Sequence, residues 1–427
     1  MKITIVGVGY VGFCTGAGFA LKGHDVTCVM RTPEKAAAIN EGLSPIYEPG
    51  LDDELKKIVG KNFRATTALA AAVAAADTVF IAVGTPCADD GSIDLADLKA
   101  VSAQIGAALK NEKGYKVIVV KSTVVAGTTE ETVIPALEQS SGKKAGSGFG
   151  VCMNPEFLRE GRALEDFLHP DRIVIGELDT QSGDLIEKVY LPFHAPVLRT
   201  SLKTAEMIKY VSNSFLALKI SFANEIGNLC HRLGMDPYSV FKGVGMDARI
   251  SPHFFQAGIG YGGSCFPKDV SALMYKARSA GNPLTLLETT TVVNKAQRKL
   301  FMEKVRARLG SLTGKKVAVL GLAFKADTDD IRESPAIDVI RELQSAGAIV
   351  TAYDPKAAEN FQKLFPKITY APSAKEALKA GADACLILTD WAEFKSLVQA
   401  DFPKGSYIIE GRKALDLKTV RFEGICW

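Results

Sequence analysis

Gly7-Val8-Gly9-Tyr10-Val11-Gly12, arriving directly after the apolar run at 2–6, constrains this chain more than any other feature. A G-x-G-x-x-G that follows a strand and opens a helix predicts the first turn of a dinucleotide-binding βαβ unit. The first glycine permits a tight turn and the second lets a pyrophosphate approach the backbone. The third allows close helix–sheet packing, with the phosphates on the helix N-terminus. The apolar stretch 3–21 superficially suits a signal peptide or membrane span, but it holds five glycines and divides into a strand and a helix. It also lacks a small-residue cleavage pattern, so the sequence predicts neither targeting nor membrane insertion.

The alternation continues beyond that turn. Runs at 25–29, 78–83 and 116–120 read as strands, the last two stopped by Gly84-Thr85-Pro86 and Lys121-Ser122-Thr123. Strands separated by helical segments predict a parallel, doubly wound sheet. From 202 to 309 the pattern becomes helical, with apolar residues recurring from Ala205 through Phe215, Leu218, Phe222 and Ile226. Glycines at 258–264 interrupt it. After Gly314, strands are predicted at 316–320, 349–353, 384–389 and 406–409, with an amphipathic helix over 334–345. A chain of 427 residues exceeds what one hydrophobic core serves. The predicted fold is α/β: two Rossmann-like doubly wound domains, 1–201 and 310–427, joined by a central helical region, 202–309, with a long helix. Such an arrangement makes a ligand cleft.

The second strand ends Cys28-Val29-Met30-Arg31-Thr32, where an NAD site wants Asp or Glu for the adenosine ribose hydroxyls. Met30 accepts no hydrogen bond from them, whereas Arg31 suits a 2′-phosphate. Two readings stay open: NADP is tolerated or preferred, or Arg31 stacks on adenine and NAD is used.

Gly260-Tyr261-Gly262-Gly263-Ser264-Cys265-Phe266-Pro267-Lys268-Asp269 is the other informative segment. Glycines before a cysteine let the backbone bend and a substrate approach the sulfur. A helix starting after Pro267, with Asp269 in its first turn, and the Lys268 ammonium would both favour thiolate. The remaining cysteines form no C-x-x-C pair and the five histidines no H-x-x-x-H spacing, so no metal site or disulfide framework is predicted, and reduced cytosolic thiols are the default. A net charge of +3 without a polybasic run gives no reason to expect nucleic acid.

GYGGSCFPKD together with GVGYVG resembles the UDP-glucose 6-dehydrogenase family of nucleotide-sugar dehydrogenases. The resemblance runs nearly end to end, through VGTP (83–86), KST (121–123), NPEFLREG (154–161), AEMIKYVSNSF (205–215), FKADTDDIRES (324–334) and EGR (410–412). Two residues depart from the family's pattern: Met30, where Asp is usual, and Ser251 after Arg249-Ile250, where glycine is common.

The resemblance implies a cytoplasmic enzyme oxidising the C6 alcohol of UDP-glucose to UDP-glucuronate in two NAD(P)-dependent steps, four electrons in all. Cys265 is the implied nucleophile, holding the sugar as a thiohemiacetal and then a thioester so that the aldehyde does not escape. Lys209 is implied to stabilise the developing oxyanion, with Asn213 one helical turn on. Asp269 helps activate water or hold the base network, Glu156 is the candidate general base for thioester hydrolysis, and Thr123 acts beside them. Implied cofactor contacts are Gly7, Gly9, Tyr10, Val11, Gly12, Met30, Arg31, Lys35, Gly84, Thr85, Pro86, Thr123, Glu160, Lys268 and Arg332. Implied substrate contacts are Glu156, Phe157, Leu158, Glu160, Lys209, Asn213, Arg249, Phe255, Gly260, Tyr261, Gly262, Cys265, Phe324, Lys325 and Arg412. Among these, Lys325 would meet the nucleotide phosphate and Arg249 would cross a dimer interface to a neighbour's substrate. Competing readings are plain: a solvated Lys209, exposed Glu156 and Glu160, and a surface ion pair for Arg249. No metal ligand is implied. The apolar surface of the central helices and the family resemblance imply a homodimer or higher homo-oligomer.

Three rival functions stay open. One is a dehydrogenase of another nucleotide sugar, a UDP-N-acetylhexosamine or GDP-mannose. Another is a two-electron Rossmann hydroxyacid dehydrogenase, which needs neither a nucleophilic cysteine nor a second α/β unit. The third is a nucleotide-sugar sensor, which has no use for a nucleophile.

Overall fold

The run KITIV forms strand β1 (Lys2–Val6), buried at every residue but the first, as a parallel strand covered on both faces requires. Beyond it come β2 (Asp25–Val29), β3 (Phe63–Thr66), β4 (Thr78–Ile81), β5 (Val117–Val120), β6 (Gly150–Met153), β7 (Ile173–Glu177) and β8 (Val197–Ser201). They form one sheet in the order β3-β2-β1-β4-β5-β6-β7-β8. Side chains alternate across it. Ile3 and Ile5 enter a core with Phe13, Phe19 and Phe80, while Val6 enters the opposite core with Val73, Ile105 and Leu137. The first six strands are parallel, as predicted. The wholly parallel expectation fails at one join: β7 pairs with β6 antiparallel, Cys152 opposite Glu177. The link between them carries only the short helix Ala163–Leu168 and reverses the chain instead of crossing over it.

A second sheet holds β9 (Lys316–Leu320), β10 (Ile349–Tyr353), β11 (Thr369–Tyr370), β12 (Ala384–Ile387), β13 (Tyr407–Glu410) and β14 (Glu423–Gly424), in the order β11-β10-β9-β12-β13-β14. Every pair is parallel. Strand order thus reverses beside β1 in one sheet and beside β9 in the other, the positions where doubly wound sheets bind ligands.

Between the sheets in sequence lie the helices Leu202–Arg232, Pro237–Gly245, Phe266–Ser279 and Thr285–Leu309. The first, at 31 residues, is the long helix anticipated. The third begins at Phe266 rather than after Pro267, so the proline occupies the first turn, where its missing N–H costs nothing. The computed structural model describes residues 1–427, which divide into two compact units. One is Met1–Ser212 with Ser271–Lys276, and the other Asn213–Val270 with Ala277–Trp427, so the helical stretch is shared between them. No helix is long and apolar enough to cross a membrane.

Candidate active site

In the first unit, the three glycines of the opening turn have three separate reasons to be glycine. Gly7 has φ +99°, and a Cβ there would lie 2.6 Å from the Ala82 carbonyl oxygen. A Cβ on Gly12 would lie 1.9 Å from the Gly7 oxygen, so the helix Tyr10–Leu21 could not start where it does. A Cβ on Gly9 would meet nothing within 4 Å. Gly9 therefore borders open space at the start of a helix, and the turn fits a dinucleotide's pyrophosphate. Val11 lies in the helix's first turn. The Tyr10 hydroxyl donates to the Glu48 carboxylate and to Tyr47 O at 2.7 Å. Burial and that carboxylate push its phenol well above the usual range.

Next to this turn, Thr85 Oγ1 donates to Thr123 O at 2.7 Å, tying the segment after β4 to the segment after β5. Gly84 and Pro86 are exposed beside Thr85. Arg31 pairs with Asp97 at 2.6 Å, with both side chains largely exposed. Such a pair contributes about 0–1 kcal/mol, little enough for a ligand to displace. Met30 packs on the core, and Lys35 is exposed on the helix Pro33–Asn40.

The residues after β6 build a buried ionic site. Lys209 Nζ and Glu156 Oε1 are 2.7 Å apart, with 4% side-chain exposure on each. Glu156 Oε2 also accepts from Leu158 N at 2.6 Å. Burial opposes ionisation of Glu156, but Lys209, the Leu158 amide and Lys121 outweigh it and hold the carboxyl below its ordinary range. Lys209 Nζ lies 5.6 Å from the Phe157 ring centroid, whose ring is also covered by Arg172 at 3.8 Å. The solvated-lysine and exposed-glutamate readings of Lys209 and Glu156 are therefore excluded. Glu160 is half-buried.

In the second unit, Cys265 immediately precedes the helix Phe266–Ser279, and Asp269 N donates to its carbonyl at 2.8 Å. Its Sγ is 3.6 Å from Ser264 Oγ. Asp269 is buried; its carboxylate accepts from Asn213 Nδ2 at 2.6 Å and pairs with Lys268 Nζ at 2.6 Å. The Lys268 ammonium is thus paired with Asp269 in the first turn of the cysteine's helix.

The glycines before Cys265 also answer a need that sequence spacing did not reveal. A Cβ on Gly262 would lie 2.0 Å from Glu333 O, and one on Gly263, with φ +83°, would lie 2.6 Å from the Phe324 ring. Gly263 N donates to Arg332 O at 2.9 Å. The cysteine loop is docked, backbone on backbone, against residues 324–334. Asn294 grips Tyr261 at both N and O, at 2.8 and 3.0 Å, and Arg412 donates to Gly260 O. Beneath the docked loop, buried Asp354 accepts from Leu322 N, Ala323 N and Trp391 Nε1. That fixes the turn carrying Phe324 and Lys325.

The side chains of three further expected contacts lie outside these two clusters. Phe255 is a core side chain, stacked on Phe241 with centroids 5.2 Å apart. Arg249 is 88% exposed and pairs with Asp247 at 2.7 Å. Arg332 is exposed and bridges Asp330 at 2.7 Å. Ser251 adopts φ +67°, a left-handed conformation that a glycine would take without strain. No group of three or more His, Cys, Asp or Glu side chains is arranged to hold a metal ion.

Sequence reasoning passed over Lys121, Glu48, Glu206, Asn294 and Asp354. Buried Glu206 accepts from Gly127 N, Thr129 N and Thr129 Oγ1, anchoring that turn to the long helix. Glu48 likewise holds Gly161 N and Ala163 N. A charged residue inside a strongly apolar or glycine-rich run was the available signal, present for Lys121 after VIVV and for Glu48 before Pro-Gly.

Residues 1–194, 203–296 and 318–417 match the NAD binding, central and UDP binding domains of the UDP-glucose/GDP-mannose dehydrogenase family. UDP-glucose 6-dehydrogenase AglM of Haloferax volcanii is 44% identical over 419 residues, 97% of each chain. UDP-glucose 6-dehydrogenase TuaD of Bacillus subtilis is 43% identical over 431 residues, 99% of this chain and 91% of the relative. A solved UDP-glucose dehydrogenase from Pyrobaculum islandicum superposes with TM-score 0.93 at 40% identity, covering 100% of this chain and 97% of that one.

Proposed function

This chain belongs to the UDP-glucose/GDP-mannose dehydrogenase family, and from that premise we propose that it oxidises UDP-glucose to UDP-glucuronate in two NAD-dependent steps. The observation that carries the reading is Cys265 itself: a thiol at a helix N-terminus, on a glycine loop locked against the turn that carries Phe324 and Lys325. A protein that only bound the nucleotide sugar would have no use for a nucleophilic thiol.

The Gly7–Gly12 turn, with Thr85, Pro86, Thr123 and Glu160, would hold NAD, whose nicotinamide would supply the hydride acceptor for each of the two oxidations. Cys265 Sγ adds to the C6 aldehyde, forming a C–S bond and giving a thiohemiacetal. Loss of a second hydride from C6, for which a second equivalent of the oxidised cofactor would be the acceptor, leaves a thioester; water then adds to the carbonyl and the C–S bond breaks, releasing the carboxylate and returning the thiol. The helix N-terminus favours the thiolate. Lys209 stabilises negative charge on the reacting oxygen, and Glu156, kept ionised by its cationic neighbours, takes a proton from the attacking water. Asp269 and Asn213 hold each other beside the nucleophile's helix. Lys325 and Arg412 serve the nucleotide end, and Arg249, exposed here, reaches a partner's substrate.

With no carboxylate at Met30, NADP is tolerated beside NAD. The enzyme acts in the cytoplasm as a homodimer or higher homo-oligomer. Phe215, Phe222 and Leu229, exposed at seven-residue intervals on the long helix, supply an apolar seam for a second copy. Incubation with UDP-glucose and NAD, with reduced cofactor counted per sugar consumed, tests the function. Two per UDP-glucuronate is expected; one per product, or no turnover, overturns it.

A further inference from the structure

A buried ammonium stands beside the Glu156–Lys209 pair with no role in the steps above. Lys121 follows β5 and is 3% exposed. Its Nζ donates to Asn154 Oδ1 at 2.8 Å and to Tyr190 OH at 3.3 Å. The Phe167 and Tyr190 rings wall it in, with centroids 5.8 and 5.9 Å from Nζ. Asn154 is itself fixed, donating to Val174 O at 2.8 Å. Its direct partners are neutral, an arrangement that makes a buried cation costly. An apolar side chain would fill the same space without that cost, so the charge calls for a purpose.

The charged groups whose fields reach Lys121 are Glu156 and Lys209. Asn154, its hydrogen-bond partner, lies two residues before Glu156 on the same turn. We propose that Lys121 is a positioning residue for the acid–base pair: through Asn154 it pins the 154–156 turn, and its positive charge keeps the Glu156 carboxylate ionised and set against Lys209. The proposal rests on the reading of Glu156 as general base. From the elements around Lys121, the facing groups are Asn154 and Glu156 after β6, Phe167 on the helix Ala163–Leu168, Tyr190 at the end of the helix Thr180–Tyr190, and Lys209 on the long helix. Burial pushes Lys121 down to about 7, against the pull of Glu156 and aided by Lys209, so its proton and the Glu156 charge are coupled.

The test compares wild type, Lys121→Met and Lys121→Arg. The pH dependence of kcat and both KM values is measured with UDP-glucose and NAD, and melting temperature is followed from pH 3 to pH 8. Losing one nearby cation should raise the Glu156 pKa. In Lys121→Met, the acid limb of kcat and the acid-side fall in melting temperature should both move to higher pH, by the same amount as each other. Both KM values should stay within threefold, and Lys121→Arg should keep the wild-type limbs. A uniform loss of stability with both limbs unmoved would reduce Lys121 to a strut and overturn the proposal. Equal displacement in Lys121→Arg would do the same. If wild type does not turn over UDP-glucose, the reading of the reaction fails, and the melting curves alone still decide Lys121. Should Lys121→Met not fold, Lys121→Gln takes its place, keeping a donor to Asn154 without the charge.

Discussion

Removing either member of the Glu156–Lys209 pair should damage this protein far more than removing both. At 2.7 Å the two charges attract by roughly 6 kcal/mol for an effective dielectric of about 20. Most of that attraction offsets the cost of taking two ions out of water, so the pair's net contribution is small. A single substitution leaves the other ion buried and costs about 3–5 kcal/mol. The two singles should differ. After Lys209→Met, Glu156 keeps the Lys121 ammonium as a neighbour; after Glu156→Gln, two lysines face each other with no anion. Glu156→Gln therefore falls at the upper end of that range and Lys209→Met at the lower. The double variant Glu156→Leu/Lys209→Met should come within about 1–2 kcal/mol of wild type. For a unit of this size, each kcal/mol moves Tm by about 2–4 °C. Calorimetry gives the stabilities, and cofactor reduction at 340 nm gives kcat, which should fall at least about 100-fold in both singles with KM nearly unchanged. A pH series adds a sign. The Glu156 pKa in the fold lies below its unfolded value, so its stabilisation is complete above about pH 4.3 and disappears as pH falls through the folded pKa. The wild type's advantage over Glu156→Gln should accordingly shrink only below about pH 4. Single variants that each cost under about 1 kcal/mol and simply add would refute this reasoning.

Cys265→Ser should cut acid production by on the order of 10³-fold or more, while calorimetric binding of UDP-glucose changes less than about threefold; undiminished turnover would remove Cys265 as nucleophile. Gly9→Ala should fold with an unchanged Tm, because its Cβ meets nothing in the protein, yet it should raise the KM for NAD at least about tenfold. Gly12→Ala, whose Cβ would sit 1.9 Å from Gly7 O, should be insoluble or strongly destabilised. Equal melting temperatures for the two alanine variants would contradict the assigned roles. Met30→Asp should raise the NAD-over-NADP ratio of kcat/KM at least about tenfold by bonding the ribose hydroxyls and repelling a 2′-phosphate; an unchanged ratio would mean preference is set elsewhere.

Local rules read well in this chain because its key signals are local. A glycine triplet after a five-residue strand leaves few backbone paths, and the positive φ of Gly7 and the clash at Gly12 follow from those same few residues. Strands β1, β2, β4, β5, β9, β10, β12 and β13 were legible to within about two residues from β-branched runs and their Gly, Pro or polar stops, whereas β3, β6, β7, β8, β11 and β14 were not read as strands. Nor was the antiparallel join of β7 legible, since direction depends on where the returning chain packs and not on what the strand contains.

Taken alone, the sequence determined the two doubly wound halves, the long helix between them, the dinucleotide turn and the candidate cysteine. These depend on periodicity, turn chemistry and short spacing. Tertiary structure decided which charges are buried and whom they meet. Lys121, Glu156 and Lys209 come from three distant segments, and nothing in their neighbours' identities says that they share one unsolvated pocket. It also decided why Gly262 and Gly263 must be glycine: the Glu333 carbonyl and the Phe324 ring occupy the space a side chain would need. Burial and contact between remote residues are properties of the packed chain, and short-range patterns carry no record of them.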